Sequence, residues 1–268
     1  MTLQYLVEQI RQKKSYLCVG LDTDPIKIPK YLQGLPDAVF KFNKQIIDAT
    51  KDLCVAYKIN TAFYEAMGAA GWDIMQRTNA YIPNTHLKIA DAKRGDIGNT
   101  SDQYARAFFE VLNFDAVTIA PYMGKDSITP FLQYTGKWAI VLGLTSNKGS
   151  NDFQQKKIGN HYLYEEVIEK VAGWGTKENL MFVVGATKAA DITDIRKIVP
   201  EHFLLVPGVG FQGGSLAEVS TAGITSDVGL LVNVSRAIIY AGESENFAGE
   251  ATAIAQQYQQ EMASYIKH

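Results

Sequence analysis

The chain has little of what several protein classes require. Only two cysteines, Cys18 and Cys54, occur in 268 residues, which excludes a disulfide-stapled framework. Each sits in an apolar, strand-like stretch that suits a buried thiol in a reducing, cytoplasmic setting. The four histidines, His86, His161, His202 and His268, are scattered without the close spacing of metal ligands, so no metal site is expected. No apolar run approaches the ~20 residues that cross a bilayer, and the first fifteen residues hold no uninterrupted apolar segment of the kind a signal peptide needs. A surplus of charge of either sign is missing as well: 28 acidic residues face 26 basic ones, so no overall field draws nucleic acid or an anionic membrane, and any anion site must be local. Neither repeats nor low-complexity linkers divide the chain, and residues 1–268 are expected to form one domain.

What is present is an alternation. Eight short apolar runs, "YLCVGLD" (16–22), "LCVAYKIN" (53–60), "HLKIAD" (86–91), "FDAVTIAP" (114–121), "WAIVLGLT" (138–145), "LMFVVGAT" (180–187), "FLLVPGVG" (203–210) and "GLLVNVS" (229–235), have strand length and mostly β-branched character. Between them, stretches such as "DAVFKFNKQIIDATKD", "SDQYARAFFEVL" and "YLYEEVIEKVAGW" carry helical periodicity. Runs that are apolar on both faces belong to a parallel sheet covered on both sides. Eight of them in about 250 residues predict an α/β protein with a closed (β/α)8 barrel of the TIM type. A doubly wound open sheet is the alternative, but no G-x-G-x-x-G follows the first run. Leu3, Leu6, Val7 and Ile10 add an amphipathic helix before the first strand.

Polar residues gather at the C-terminal ends of the runs, the face where such a barrel places its active site. The third run ends in "DAKRGDIGNT" (91–100), a charge cluster that burial would exclude unless it were paired, wet or functional. Asp91 and Lys93, two positions apart on one strand, are expected to point to the same face. Lys58 and Asn60 repeat that spacing on the neighbouring strand, so Lys58, Asp91 and Lys93 should form an alternating array at the barrel mouth. An ion-pair network that merely closes the barrel would look the same. Gly95 suits a sharp exit from the strand, and Thr100 with Gln103 fits a capping box for the next helix. Capping leaves Asp96 and the adjoining Ile97 without a use, as both precede the helix. "PGVGFQGGS" after strand seven and Arg236 in "NVSRAI" after strand eight offer the parts of a phosphate site. The segment 145–161 is long for a βα loop and reads as a lid or as a solvated insertion.

Taken in order, "GLDTDP", "YKIN", "DAKRGDIGNT", "TSN", "PGVGFQGG" and "NVSRAIIYA" resemble the orotidine 5'-monophosphate decarboxylase family, in its sequence group with K-x-N on strand two and T-S-N after strand five. The resemblance spans essentially the whole chain. It implies decarboxylation of orotidine 5'-monophosphate to uridine 5'-monophosphate, the last step of de novo pyrimidine nucleotide synthesis, with no metal and no organic cofactor. By this similarity Lys93 protonates C6, Asp91 lies near the departing carboxylate, and Lys58 and Asp96 complete the charged array. The resemblance further implies a homodimer with shared sites, in which Asp96, Ile97 and Thr100 serve the partner subunit's site. Asp22 and Asn60 would contact the ribose, and Thr145 and Ser146 the amide edge of the pyrimidine. Gln212, Gly213, Gly214, Ser235 and Arg236 would surround the phosphate. Three other readings stay open. A sugar-phosphate decarboxylase or synthase of the same barrel suprafamily shares D-x-K-x-x-D but uses Mg2+ held partly by a Glu on strand two, where this chain has Lys58. The others are a Schiff-base aldolase and a non-catalytic nucleotide sensor on the same scaffold.

Overall fold

Eight parallel strands close on themselves in chain order in the computed structural model, which describes residues 1–186, 189–210 and 214–266. They are β1 (Leu17–Gly20), β2 (Ala56–Asn60), β3 (Leu87–Arg94), β4 (Ala116–Ile119), β5 (Trp138–Leu144), β6 (Leu180–Val184), β7 (Phe203–Pro207) and β8 (Leu230–Val234). Closure joins Leu17 of β1 to Val232 of β8, so the sheet has no free edge. Helices cover the outside, including Ala38–Thr50 after β1, Leu163–Ala172 after β5 and Phe247–Ala263 after β8. Every residue of β1, β4, β6 and β8 is buried. Side chains pointing inward meet those of the opposite strands, and those pointing outward meet helices, which is why the runs lack polar alternation. No helix among the described residues is long and apolar enough to cross a membrane.

Helix α1 (Leu3–Lys13) is the expected extra element, capped by the Thr2 side chain and burying Leu6, Val7 and Ile10. It lies across the end of the barrel where strands begin. The amino terminus reaches Asp115 Oδ1 and Gly136 O ahead of β4 and β5, and Lys13 Nζ donates to the carbonyls of Lys51 and Cys54 ahead of β2. The helix thus closes the face opposite the strand C-termini.

Lys13 Nζ also stands 2.8 Å from Nε2 of His86, a buried residue just before β3. Burial and then the Lys13 ammonium push the imidazole pKa down to about 4. A depressed histidine favours folding fully above the unfolded value of about 6.5 and loses that contribution as pH falls from there toward 4. Between pH 7 and 4.5 the loss should reach about 2–3 kcal/mol. Urea unfolding of wild type and His86→Gln at both pH values checks this: the variant should lose less stability on acidification by about that amount, and equal losses would refute it.

The helix after β3 departs from expectation. It begins at Gly98 with Ile97 as a cap that supplies no side-chain bond, so Thr100 lies inside the first turn and does not cap it. The segment after β5 folds into a short 3-10 turn, Lys148–Asp152, and a two-stranded ribbon pairing Lys157–Ile158 with His161–Tyr162.

Candidate active site

The C-terminal ends of the strands surround a cavity of about 340 Å3. Its charged side is built by three adjacent strands. Register sets Gly20 opposite Lys58 and Asn60 opposite Asp91, so the ends of β1, β2 and β3 bring their polar residues into one row. Lys58 Nζ lies 3.4 Å from Asp22 Oδ1 and 2.9 Å from Asp91 Oδ2, and Lys93 Nζ lies 2.6 Å from Asp91 Oδ1. The alternating array expected for Lys58, Asp91 and Lys93 is present, with Asp22 as a fourth member.

The row is graded in exposure. The Lys58 side chain is 5% exposed and that of Asp91 11%, whereas Lys93 is 51% exposed. Burial alone would drive the Lys58 ammonium toward neutrality, but the carboxylates of Asp22 and Asp91 outweigh it and raise its pKa. Burial would likewise protonate Asp91; the ammonium groups of Lys58 and Lys93 overcome this and hold its carboxyl well below the usual range. Lys58 and Asp91 therefore stay charged because each has opposite charges beside it. Lys93, at 51% exposure, is the member of the row most open to an incoming molecule.

The geometry of Lys93 corrects the reason given for its orientation. Strict alternation along β3 does not place it, because the ladder with β4 is irregular between Ala90 and Arg94. Lys93 itself has φ +46°, a left-handed conformation that costs a non-glycine residue roughly 1–3 kcal/mol and is held here by its surroundings. The exit from the strand differs too: Gly98, at φ +47°, takes the left-handed turn. Gly95 instead makes a close approach, since a Cβ there would stand 3.3 Å from the Ala120 carbonyl. Arg94, the remaining charge of the cluster, turns away to pair with Glu65 and packs over the rings of Tyr104 and Phe108, which makes it structural.

Asn60, Thr145 and Ser146 also line the cavity. Asn60 caps the helix that follows β2, accepting from the Ala62 amide. Gln154, from the segment after β5, accepts from the amide of Thr145 at 2.8 Å and donates to its hydroxyl at 2.9 Å; this was not foreseen, since nothing in the spacing of "TSNKGSNDFQ" marks it. Ser235 and Arg236 line the side formed by β8, where the Ser235 hydroxyl donates to the Gly20 carbonyl across the closing strands. Gly214 packs tightly, as a Cβ there would lie 2.6 Å from that of Ala186, and its amide donates to the Gly208 carbonyl. Gln212 and Gly213 lie outside the described residues.

Among the described residues lining this cavity, Asp96, Ile97 and Thr100 do not figure. Asp96 Oδ1 accepts the Ile97 amide, and Ile97 is 56% exposed. Two polar lining residues within the strands escaped the sequence reading, Thr118 of β4 and Asn233 of β8. Each is a single polar residue within an apolar run, and that was the only available signal.

Comparison with known proteins agrees with this geometry. The family model described as "Orotidine 5'-phosphate decarboxylase / HUMPS family" matches residues 15–251. An orotidine 5'-phosphate decarboxylase of Christiangramia forsetii is 59% identical, the match covering 100% of this chain and 99% of that protein. The structure of Leishmania donovani OMP decarboxylase matches with a TM-score of 0.81 at 37% identity, over 97% of this chain and 99% of that one. The chain also matches the structure of Leishmania donovani UMP synthase, with a TM-score of 0.82 at 39% identity over 95% of its own length, but spans only 56% of that longer chain. A closed parallel barrel with this charged row, matched over nearly its full length by such relatives, places the chain in the orotidine 5'-phosphate decarboxylase / HUMPS family.

Proposed function

We propose that the chain removes CO2 from C6 of the orotate ring of orotidine 5'-monophosphate, leaving uridine 5'-monophosphate, with Lys93 as the proton donor. The observation that carries this reading is the continuous row Asp22, Lys58, Asp91, Lys93, which ends in one accessible ammonium. Breaking the bond between C6 and the carboxylate leaves its electron pair on C6. An ammonium hydrogen of Lys93 then forms the new C–H bond, and the neutral amine recovers a proton from water. Before transfer, the positive charge of Lys93 is already aimed at the position where negative charge develops, so little reorganisation is needed at the moment of reaction. Asp91 holds that ammonium in place. Both Asp91 oxygens accept from ammonium groups, and a divalent cation brought to this carboxylate would be repelled by them, so the reading calls for no metal.

Arg236 stands at the end of β8, three strands around the barrel from Lys93, and with Gln212 and the loop after β7 it holds the phosphate. Asp22 and Asn60 face the ribose, and Thr145, positioned by Gln154, faces the pyrimidine edge with Ser146. The chain acts as a homodimer in which Asp96, Ile97 and Thr100 complete the partner's site. In support, Ile97, Tyr122 and Met123 are large apolar residues left exposed on the loops after β3 and β4, a patch suited to burial against a second copy. The two buried, free thiols, Cys18 and Cys54, suit a cytoplasmic enzyme.

Loss of orotidine 5'-monophosphate absorbance in the ultraviolet tests the reading, measured for wild type and Arg236→Ala. Wild type should consume the nucleotide. Arg236→Ala should lower kcat/KM on it by roughly 100-fold or more, because binding energy from the remote phosphate is spent at the reacting carbon. On the phosphate-free nucleoside orotidine the two enzymes should be nearly equal. A wild type without turnover would overturn the function, and equal penalties on both substrates would overturn the role of Arg236.

A further inference from the structure

The irregular stretch of β3 faces a single residue of β4. Ala90 pairs with Val117 and Arg94 with Ile119, so β3 takes four steps where β4 takes two, and Thr118 alone stands opposite Asp91, Ala92 and Lys93. An amide in a bulge of this kind has lost its regular ladder partner, yet one so close to a buried row must be satisfied. The Thr118 hydroxyl satisfies it: Lys93 N–H donates to Oγ1 at 2.9 Å. The same Oγ1 donates to Asp91 Oδ1 at 3.0 Å, the oxygen that also accepts Lys93 Nζ. A hydroxyl has one hydrogen to give and lone pairs to accept with, so both bonds form together. Thr118 is 1% exposed, which keeps water from substituting for it.

We propose that Thr118 is a positioning residue for the proton transfer: its one hydroxyl fixes Lys93 at both ends, by its strained main chain and, through Asp91, by its ammonium. This rests on the reading that Lys93 delivers the proton to C6. Valine has the shape of threonine without the hydroxyl. In Thr118→Val the Lys93 amide and Asp91 each lose a partner, the left-handed conformation loses what holds it, and the ammonium drifts from its aim.

The test compares wild type, Thr118→Val, Thr118→Ser and Lys93→Ala in three measurements. These are steady-state decarboxylation, binding of uridine 5'-monophosphate, and the Lys93-dependent exchange of the C6 hydrogen of that product for deuterium in D2O. Thr118→Val should lower kcat by about 10- to 100-fold, the scale expected for a catalytic group misplaced by around an ångström. Its exchange rate should fall in parallel while KM and product binding stay within about threefold, and Thr118→Ser, which restores the hydroxyl, should recover most of both rates. The proposal is overturned if Thr118→Val keeps kcat and exchange within about threefold of wild type, or if KM alone rises. It is also overturned if serine is as impaired as valine, since the methyl group would then be what matters. Should Thr118→Val fail to fold, Thr118→Ala takes its place in the same comparison, with circular dichroism and product binding reporting the folded fraction. A Lys93→Ala enzyme that remains active overturns the proton-donor reading itself, whereas an inactive Lys93→Ala beside an unimpaired Thr118→Val overturns only the role of Thr118.

Discussion

Lys93→Ala should abolish nearly all turnover, by roughly 10⁴-fold or more, while the protein stays folded. Such a loss is ~5.5 kcal/mol or more in barrier, the combined scale of removing a general acid and a preorganised charge. Folding should survive for reasons visible in the row. The Lys93 side chain is half exposed, so its removal leaves no cavity in the core. Asp91 keeps Lys58 at 2.9 Å and Thr118 at 3.0 Å, so it is not stranded as an unpaired buried charge. Alanine at a residue with φ +46° is strained much as lysine is, and the melting temperature should shift by only a few degrees. The measurement is decarboxylation by ultraviolet absorbance alongside thermal unfolding. Turnover within about tenfold of wild type, a mere ~1.4 kcal/mol in barrier, would remove Lys93 from the role of proton donor.

The second large effect concerns Asp96, which lies on the mouth loop yet apart from the cavity of its own chain. If it serves the partner's site, Lys93→Ala and Asp96→Ala homodimers are each inactive, because both sites of either dimer lack one essential group. In a mixed dimer the defects redistribute. Lys93 and Asp96 of any one site come from opposite chains, so one site collects both defects and the other collects none. Mixing the two inactive proteins and allowing subunits to exchange should restore activity, up to half the wild-type value per mixed dimer. Differently tagged chains, purified through both tags, establish that exchange has taken place. Mixed dimers as inactive as their parents would show that Asp96 acts within its own chain. The exposed Ile97, Tyr122 and Met123 supply a separate check: Tyr122→Glu should weaken dimerisation, lowering activity most at low protein concentration.

The sequence by itself determined the architecture and three of the four members of the charged row, Lys58, Asp91 and Lys93, while Asp22 joined them only in the structure. Runs apolar on both faces require a parallel sheet wrapped by helices, and eight of them without a G-x-G-x-x-G after the first favour closure into a barrel over an open sheet. Lys58, Asp91 and Lys93 were legible because charge at the end of an apolar strand is too costly to be idle. Tertiary structure decided how these residues are held. The period of two that placed Asp91 and Lys93 on one face assumes a regular strand, whereas β3 is irregular where they stand, and lysine carries no intrinsic mark of a left-handed conformation. In that conformation the Lys93 amide donates to Thr118, 25 residues away in sequence, a partnership that no local pattern encodes. Thr100 fits a capping box by spacing, yet the helix begins two residues earlier, at Gly98 with φ +47°, a start that glycine's freedom at positive φ permits and that the spacing of hydroxyl and amide residues does not reveal.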